Sequence, residues 1–321
     1  MNPIPRRSFL KNSLVTAAAL GLPSRVPAQP GKPATGGSVA AGAFIVDTNV
    51  NTGWWPFRHM KYSATPDLVA KLRKHKIKRA WAGSYDALFQ KNIDSVNTRL
   101  AEDCRVNGGG ILVPFGTVNP AFPDWEEDLR RCHEVHKMPG IRLHPIYNGY
   151  TLESPEFKHL LDGAARRGLL VQIAIDMEDE RKQHPLVNVP AVDVAPLPDI
   201  LKQIPNVRVM LVNPFRHVRG AKLKAMVERT DVTFEFSNLD GLSSVERILP
   251  DAMPWKPYHP LGRILSGGAN PTVPLERLLF GSNAPFMPLE QSLFKLIESP
   301  LTRAQIDALA FGNADRILVP A

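Results

Sequence analysis

Short apolar segments alternate with amphipathic segments along most of this chain. Eight apolar runs have the length of strands, at 43–46, 79–83, 111–118, 140–143, 169–175, 207–212, 232–236 and 278–280. Segments with helical periodicity separate them, at 66–75, 91–107, 124–135, 155–168, 196–204, 220–229 and 243–249, and two last helices are predicted to begin near 288–290 and 302. Strands that alternate with helices predict a parallel sheet. Eight such units predict the α/β class and a (β/α)8 TIM-like barrel.

A doubly wound open sheet is the alternative architecture for a chain with this alternation. That fold commonly carries a glycine-rich phosphate-binding turn after its first strand. The sequence after the first apolar run reads DTNVNTGWWPF and lacks this pattern. The barrel is therefore the favoured prediction.

The first 42 residues have a different character from the rest. Arg6-Arg7 precedes a modest apolar stretch at 13–22 and the small residues of 26–28, which resembles a bacterial twin-arginine export signal. A single membrane anchor is the alternative, although a span needs about 20 apolar residues. We expect a signal peptide at 1–28, a flexible Gly/Pro/Ala/Ser-rich linker at 29–42 and the barrel at 43–321. The predicted location is the periplasm or the outside of the cell.

Half of the net positive charge of the chain lies in the predicted signal. The chain carries 39 Lys and Arg against 31 Asp and Glu, a net charge of +8. Four of these cations and no acid lie within 1–28, which leaves a net charge of +4 for the remainder. No basic block with interleaved aromatic residues occurs, so a nucleic-acid partner is not expected. A small-molecule ligand, no membrane span in the mature protein and a possible homo-oligomer are the partner predictions.

The two cysteines, Cys104 and Cys132, both fall in predicted helices. An oxidising compartment would permit a disulfide between them. Two buried thiols are the favoured interpretation.

Polar side chains follow the predicted strands at the end where barrels carry their chemistry. Residues two apart on a strand point to the same side, so the acid and two amides of "DTNVN" share one face. The candidates along the chain are Asp47, Asn49, Asn51, Arg142, His144, Asn213, Arg216, His217, Glu235 and Asn283. The predicted barrel mouth is therefore polar and rich in amides.

Four segments, "FIVDTNVN", "GIRLHP", "RLLFGSNAPF" and "FGNADRIL", resemble the amidohydrolase superfamily. The resemblance is to its amidohydrolase-related (amidohydrolase 2) branch, which includes lactonases and aromatic-acid decarboxylases. The order and spacing of these segments extend it over nearly all of the chain after the signal. In that family the first strand ends in Asp-x-His-x-His. Those histidines bind a divalent metal with help from strands five and six, and an aspartate after strand eight acts as base and ligand.

The resemblance implies that this chain has lost the metal ligands. The matching positions hold Asn49, Asn51, Ala174, Asn213 and Asn283, and Asp47 alone is retained. Zinc and similar ions prefer imidazole, thiolate or carboxylate ligands, and amide oxygens are weak substitutes. Calcium accepts such oxygens, but no pattern brings Asp47, Glu235 and the acids of 176–180 together. We therefore expect no tightly bound divalent metal and no cofactor, and Asn283 cannot act as a base.

The candidate residues divide into two expected roles, each with a structural alternative. Asp47, His144 and Glu235 are the catalytic candidates, because carboxylates and imidazole exchange protons. The substrate-binding candidates are Asn49, Asn51, Arg142, Asn213, Arg216, His217 and Asn283. Alternatively, Asp47 accepts hydrogen bonds from neighbouring strand ends, His144 packs in the core, and Arg142 pairs with a buried acid. The charged run 176–185 is expected to be a solvated loop, or else a lid.

Three functions remain open at the level of sequence. The first is an exported, metal-independent hydrolase of a small polar lactone, ester or amide, with sugar-derived compounds among the candidate substrates. The second is a catalytically silent barrel that binds a polar ligand or partner. The third is a hydrolase that still depends on a metal through an altered ligand set. The first is favoured, and the third is the least favoured.

Overall fold

A computed structural model describes residues 44–241, 244–250 and 272–318. Its strands are β1 (Ile45–Thr52), β2 (Ile77–Ser84), β3 (Leu112–Pro114), β4 (Gly140–Leu143), β5 (Leu170–Ala174), β6 (Arg208–Val212), β7 (Thr233–Glu235) and β8 (Leu278–Leu279). Its helices are α1 (Thr65–Lys74), α2 (Asp86–Phe89), α3 (Ile93–Val106), α4 (Trp125–Glu134), α5 (Pro155–Arg166), α6 (Leu197–Leu201), α7 (Gly220–Arg229), α8 (Leu289–Ile297), α9 (Arg303–Asp307) and α10 (Asn313–Leu318). The predicted signal and linker lie outside the described residues.

All strand pairs are parallel and follow chain order. Strands β1–β3 form one sheet and β4–β8 a second. Continuous ladders do not join the two sheets; single parallel bridges do, between Val50 and Ala284 and between Gly116 and Ile141. The alternation of strands and helices with this order is that of a (β/α)8 barrel, and the prediction of the fold is confirmed.

The core has two layers, as a barrel requires. Outward strand residues such as Ile141 and Val171 pack with helix residues such as Leu68 and Leu160. A second cluster includes strand residues such as Val46, Trp81 and Leu170, and in it Trp81 stacks on Phe115 with 5.1 Å between ring centroids.

Strand β1 is longer and less regular than the sequence indicates. The polar residues of "DTNVN" lie inside the strand rather than after it. Opposite β2, Asp47 pairs with Ala80 and Val50 with Ala82, so three steps on β1 face two on β2. Such a bulge turns backbone groups out of the ladder, and the Thr48 carbonyl accepts from the Arg142 and Gln172 side chains inside the barrel.

Other element boundaries differ in places from the predicted ones. The predicted helix at 243–249 is a short 3-10 turn (Glu246–Ile248) within the described residues, and α2 was not predicted. Cys104 and Cys132 are buried free thiols, as the favoured interpretation expects. In the described part of the chain, no helix has the length and apolarity that a membrane span needs.

Candidate functional site

Most of the predicted site residues meet at the carboxyl end of the strands. Seven of them are buried there, with at most 4% of each exposed: Asp47, Asn49, Asn51, Arg142, Asn213, Glu235 and Asn283. They come from β1, β4, β7 and the turns after β6 and β8, so only the closure of the barrel brings them together. His144, Arg216 and His217 lie beside this layer rather than in it.

Glu235 is the centre of one hydrogen-bonded network. Its Oε1 accepts from the Asn213 amide N at 2.6 Å, the Ser237 hydroxyl at 2.8 Å and Asn49 Nδ2 at 3.2 Å. Its Oε2 accepts from the Ser237 amide N at 2.6 Å. Burial raises the pKa of Glu235, while these donors and the Lys295 charge act in the opposite direction. The Glu235 carboxylate is therefore held by four donors.

The N–H groups of Arg142 also all have hydrogen-bond partners. Its Nη1 donates to the Val50 carbonyl and to Asn51 Oδ1, both at 2.8 Å, and its Nε donates to Gln172 Oε1 at 2.8 Å. Its Nη2 donates to the carbonyls of Trp81 at 3.0 Å and Thr48 at 3.4 Å. Burial lowers its pKa to about 10. This geometry leaves no N–H group for a substrate carboxylate and favours a structural role.

Asn213 and Asn283 have a backbone reason for being asparagine. Both have a left-handed backbone, with φ of 53° and 55°, and asparagine tolerates this region better than most side chains do. Asn213 Oδ1 accepts from Asn49 Nδ2 at 3.0 Å, and Asn283 Oδ1 accepts from Asn51 Nδ2 at 3.3 Å. Paired amides thus link β1 to the turns after β6 and β8.

Asp47 is buried but only half satisfied. Its Oδ1 accepts from the amide N of Asn49 at 3.1 Å and of Ser282 at 3.0 Å. Its Oδ2 is buried and has no hydrogen-bond partner, and the same is true of Asn49 Oδ1. Burial raises the pKa of Asp47 to about 7, the side chain of Ser282 and the backbone of Asn49 and Ser282 act in the opposite direction, and the Glu235 charge adds a smaller rise. The charged form is therefore less favoured at Asp47 than at a solvent-exposed carboxyl group.

His144 is buried at the carboxyl end of β4. Both ring nitrogens are buried without a partner, and the ring lines a very small cavity together with Tyr147, Ala174 and Asp176. Burial and the Arg142 charge lower its pKa to about 3. Because a buried imidazole beside a cation resists protonation, the His144 ring is held in its neutral form, and its catalytic role stays a prediction.

Arg216 and His217 reach the loop after β5. His217 Nε2 lies 2.8 Å from Asp176 Oδ2. Arg216 Nη1 lies 3.8 Å from Asp176 Oδ2 and 3.9 Å from Asp179 Oδ2. Part of the charged run 176–185 is therefore tied to the turn after β6 by ion pairs.

An aromatic layer covers the polar layer. Trp55 lies at its centre, with ring centroids 5.5 Å from Tyr85, 6.5 Å from Tyr147 and 5.2 Å from Phe286. Trp55 Nε1 and the Tyr147 hydroxyl are buried without partners, and the Tyr85 hydroxyl is buried beside the Phe286 backbone and the Asn51 side chain. Farther out, Phe57 stacks on His184 of the charged run at 5.2 Å.

The space left at the mouth is small. A cavity of about 50 Å³ is lined by Arg58, Asp176, Glu178, Asn213, Arg216, Asn238, Asn283, Phe286 and others. This volume holds a few water molecules. A larger ligand requires the loops to move apart.

The residues at the mouth do not suit a transition metal. The amide side chains at the mouth are hydrogen-bonded to one another, and the Arg142 guanidinium lies among them. In the described ranges no group of three or more His, Cys, Asp or Glu side chains has the arrangement of a metal site. The expectation that the protein works without a tightly bound metal stays a prediction.

Sequence reasoning missed several participants. Gln172 bridges Arg142 and the Thr48 carbonyl, and the buried Lys295 of α8 donates to the Ser237 carbonyl at 2.5 Å. Their signals were a glutamine inside "LLVQIAI" and a lysine inside "LFKLI". Tyr85 carries no comparable signal, because α2, which positions it, was not predicted.

The fold and site define an α/β-barrel protein with a buried, polar carboxyl-terminal mouth. No protein-family profile matches the sequence, and no curated protein matches it. Solved structures do match in fold. The 2,6-dihydroxybenzoate decarboxylase from Rhizobium superposes with a TM-score of 0.60 at 12% identity, over 86% of this chain and 98% of that one.

Two other structures show the same similarity. A 5-carboxyvanillate decarboxylase from Novosphingobium aromaticivorans, complexed with manganese and 4-hydroxy-3-methoxy-5-nitrobenzoic acid, has a TM-score of 0.54 at 11% identity, over 86% of this chain and 96% of that one. A structure described as an amidohydrolase II has a TM-score of 0.58 at 14% identity, over 85% and 99%. At these identities the similarity establishes the fold.

Proposed function

We propose that this chain is an amidohydrolase-related hydrolase that acts on a small polar lactone, ester or amide without a tightly bound divalent metal. The observation that carries the proposal is the Asp47 carboxyl group. It is buried within β1, has one oxygen without a partner, and has a pKa raised to about 7. A purely structural carboxylate would be expected to have both oxygens hydrogen-bonded, whereas a general base needs a pKa near the working pH.

The proposed nucleophile is a water molecule held on β1. Asp47 Oδ2 and Asn49 Oδ1 are both acceptors without donors, and a water molecule offers two O–H groups. Asp47 would take one proton as the water oxygen attacks the substrate carbonyl carbon. It would then return that proton to the leaving alcohol or amine as the carbon–oxygen or carbon–nitrogen bond breaks.

The remaining residues have supporting roles in this proposal. Asn213, Arg216 and Asn283 line the mouth cavity, and they would orient the substrate and stabilise the oxyanion. Neutral His144 and the Tyr147 hydroxyl would donate hydrogen bonds to its polar groups. Asn49, Asn51, Arg142 and Glu235 would hold the layer in place. Glu235 is not the proposed base, because four donors already occupy its oxygens.

The test is turnover of a panel of nitrophenyl esters, sugar lactones and amides by the purified protein before and after dialysis against a chelator. We expect turnover that survives dialysis and falls at least about 100-fold in Asp47→Asn. Asp199→Asn is the control, since the Asp199 side chain is 69% exposed. Stoichiometric metal that survives dialysis and is needed for turnover would contradict the proposal. Including 2,6-dihydroxybenzoate, the acid named for the Rhizobium enzyme, detects decarboxylation instead.

A silent ligand-binding barrel is the second candidate. The small mouth cavity and the saturated Arg142 favour it, because a site that binds without turnover can stay closed. No turnover of any panel member, together with a ligand-dependent rise in the melting temperature that Asp47→Asn abolishes, would support this candidate.

We propose, finally, that the protein is exported by the twin-arginine route. The paired Arg6-Arg7, the modest apolar stretch and the small residues before residue 29 support this. In a bacterial host, fractionation should find the mature chain in the periplasm, and replacing both arginines with lysine should leave it inside the cell. Unchanged localisation of the double variant would contradict the proposal.

A further inference from the structure

A second, larger cleft lies outside the barrel mouth. It is formed by the loop after β1, by α1 and by the segment between β8 and α8, and its volume is about 450 Å³. This is within the range of small-molecule sites. Its apolar lining includes Met60, Leu68, Ala284, Pro285 and Leu289.

The cleft is bordered by cations. Arg58, Lys61 and Lys71 line it, and the lining acid Glu290 is ion-paired with Lys71. Within the described ranges, neither Arg58 nor Lys61 has a carboxylate within 4.0 Å, and the Glu178 carboxylate on the mouth side interacts with the Arg58 charge at longer range. These two exposed cations leave the cleft with a positive rim.

Aromatic rings hold the cations beside the cleft. The Lys61 and Lys71 ammonium groups lie 5.5 and 5.4 Å from the Tyr62 ring centroid, and the Arg58 guanidinium lies 4.2 Å from that of Phe286. Arg58 Nη2 also donates to the Phe286 carbonyl at 3.1 Å. Cation–π contacts of this kind restrain long side chains without neutralising their charge.

We propose that this cleft binds a small organic anion, with a carboxylate or phosphate group attached to an apolar body of one or two rings. The anionic group pairs with Arg58 and Lys61, and the apolar body lies against Met60 and Leu68. Arg58, Phe286 and Met287 line both this cleft and the mouth cavity. A ligand here therefore contacts the wall of the mouth without entering it.

The first experiment uses 1-naphthoate as the probe, its neutral counterpart 1-naphthalenemethanol, and inorganic phosphate, each titrated into the full chain. Methionine methyl groups labelled with ¹³C report the place of binding by NMR. Met60 lines only the outer cleft and Met177 only the inner cavities, whereas Met287 lines both. We expect saturable naphthoate shifts at Met60 and Met287, and at least about tenfold weaker binding of the alcohol and of phosphate.

Variants separate this site from the mouth. Lys61→Glu should weaken naphthoate binding at least about tenfold, and the exposed Lys202→Glu should not change it. Asp47→Asn should also leave it unchanged, which keeps this test independent of the proposed hydrolase.

Three results would overturn the proposal. The first is the absence of saturable naphthoate binding, and the second is equal binding of the alcohol or of phosphate. The third is a shift at Met177 without one at Met60, which would place the probe in the mouth.

Discussion

Two sets of buried polar groups share the mouth of the barrel and differ in how completely they are hydrogen-bonded. The saturated set consists of Arg142 and Glu235, whose polar atoms donate to or accept from neighbours on five strands or turns. The open set consists of Asp47 and His144, which keep buried atoms without partners.

The comparison suggests a division of work between the two sets. Leaving a buried polar atom unpaired costs about 1–3 kcal/mol. The saturated set avoids this cost and stabilises the fold. The unpaired atoms of the open set carry this free-energy cost, and a ligand or water molecule that hydrogen-bonds to them would remove it. Substitutions in the two sets should therefore affect stability and activity differently.

The largest expected effect is on stability, in Arg142→Met. Methionine fills part of the volume but removes the Arg142 donors to the carbonyls of Thr48, Val50 and Trp81, and it removes the cation that faces two buried acids. We expect a loss of about 3–5 kcal/mol in the free energy of unfolding, measured by urea denaturation. The control Arg166→Met, whose side chain is 69% exposed, should change it by less than about 0.5 kcal/mol. If Arg142→Met changed the free energy of unfolding as little as the control does, the hydrogen bonds of Arg142 would not stabilise the fold, and the proposed difference between the two sets would be contradicted.

The second effect is on the pH dependence of stability, in Asp47→Asn. The pKa of Asp47 is about 7 in the folded state and about 3.9 when unfolded. Between these values the folded state holds a proton that the unfolded state has lost, so wild-type stability falls as the pH rises. Asparagine removes this fall, so the variant should become more stable than the wild type by up to about 4 kcal/mol above pH 7 and lose that advantage near pH 4.

Urea denaturation of both proteins across this pH range measures the difference. Glu235 and Arg142, whose charges face Asp47, are present in both proteins, so their own titration largely cancels. Asp162→Asn, at a half-exposed side chain, is the control and should give a nearly flat difference. A flat difference for Asp47→Asn as well would mean that its free oxygen is solvated.

A smaller effect is expected where a glycine makes room for the saturated set. A Cβ on Gly281 would lie 2.2 Å from Glu235 Oε2, so Gly281→Ala must displace a carboxylate held by four donors. We expect a loss of about 1–3 kcal/mol by thermal or urea denaturation. At Gly312 a Cβ would have no neighbour closer than 3.6 Å, so Gly312→Ala should be neutral or stabilising. Equal effects of the two variants would show that the Glu235 network adapts freely.

The smallest stability effect is expected in the open set, in His144→Leu. Leucine fills a similar volume and removes two nitrogens that have no partner, so the free energy of unfolding should change by less than about 1 kcal/mol. Turnover should fall nonetheless if His144 donates to the substrate. A stability loss comparable to that of Arg142→Met would show that the ring is hydrogen-bonded and belongs to the saturated set.

The sequence predicted the barrel because apolar periodicity reports directly on which segments are strands and helices. It also identified the polar residues at the ends of the strands, since the parallel order of β1 to β8 follows from their order in the chain. Short elements have little periodicity to detect. Helix α2 was therefore not predicted, and the helix predicted at 243–249 was longer than the observed turn at Glu246–Ile248. Gln172 and Lys295 were missed because single polar residues in apolar runs carry weak local signals.

What the sequence determined by itself is the set of chemical groups available at the mouth: carboxyl groups, amides, a guanidinium and an imidazole on successive strands. Only the tertiary structure decided which of them are already used. Arg142 and Glu235 find their partners on strands and turns distant in sequence, whereas Asp47 Oδ2 and the His144 ring find none. The physical reason is that hydrogen bonding and burial depend on distances across the barrel, and those distances exist only once β1 and β8 lie side by side.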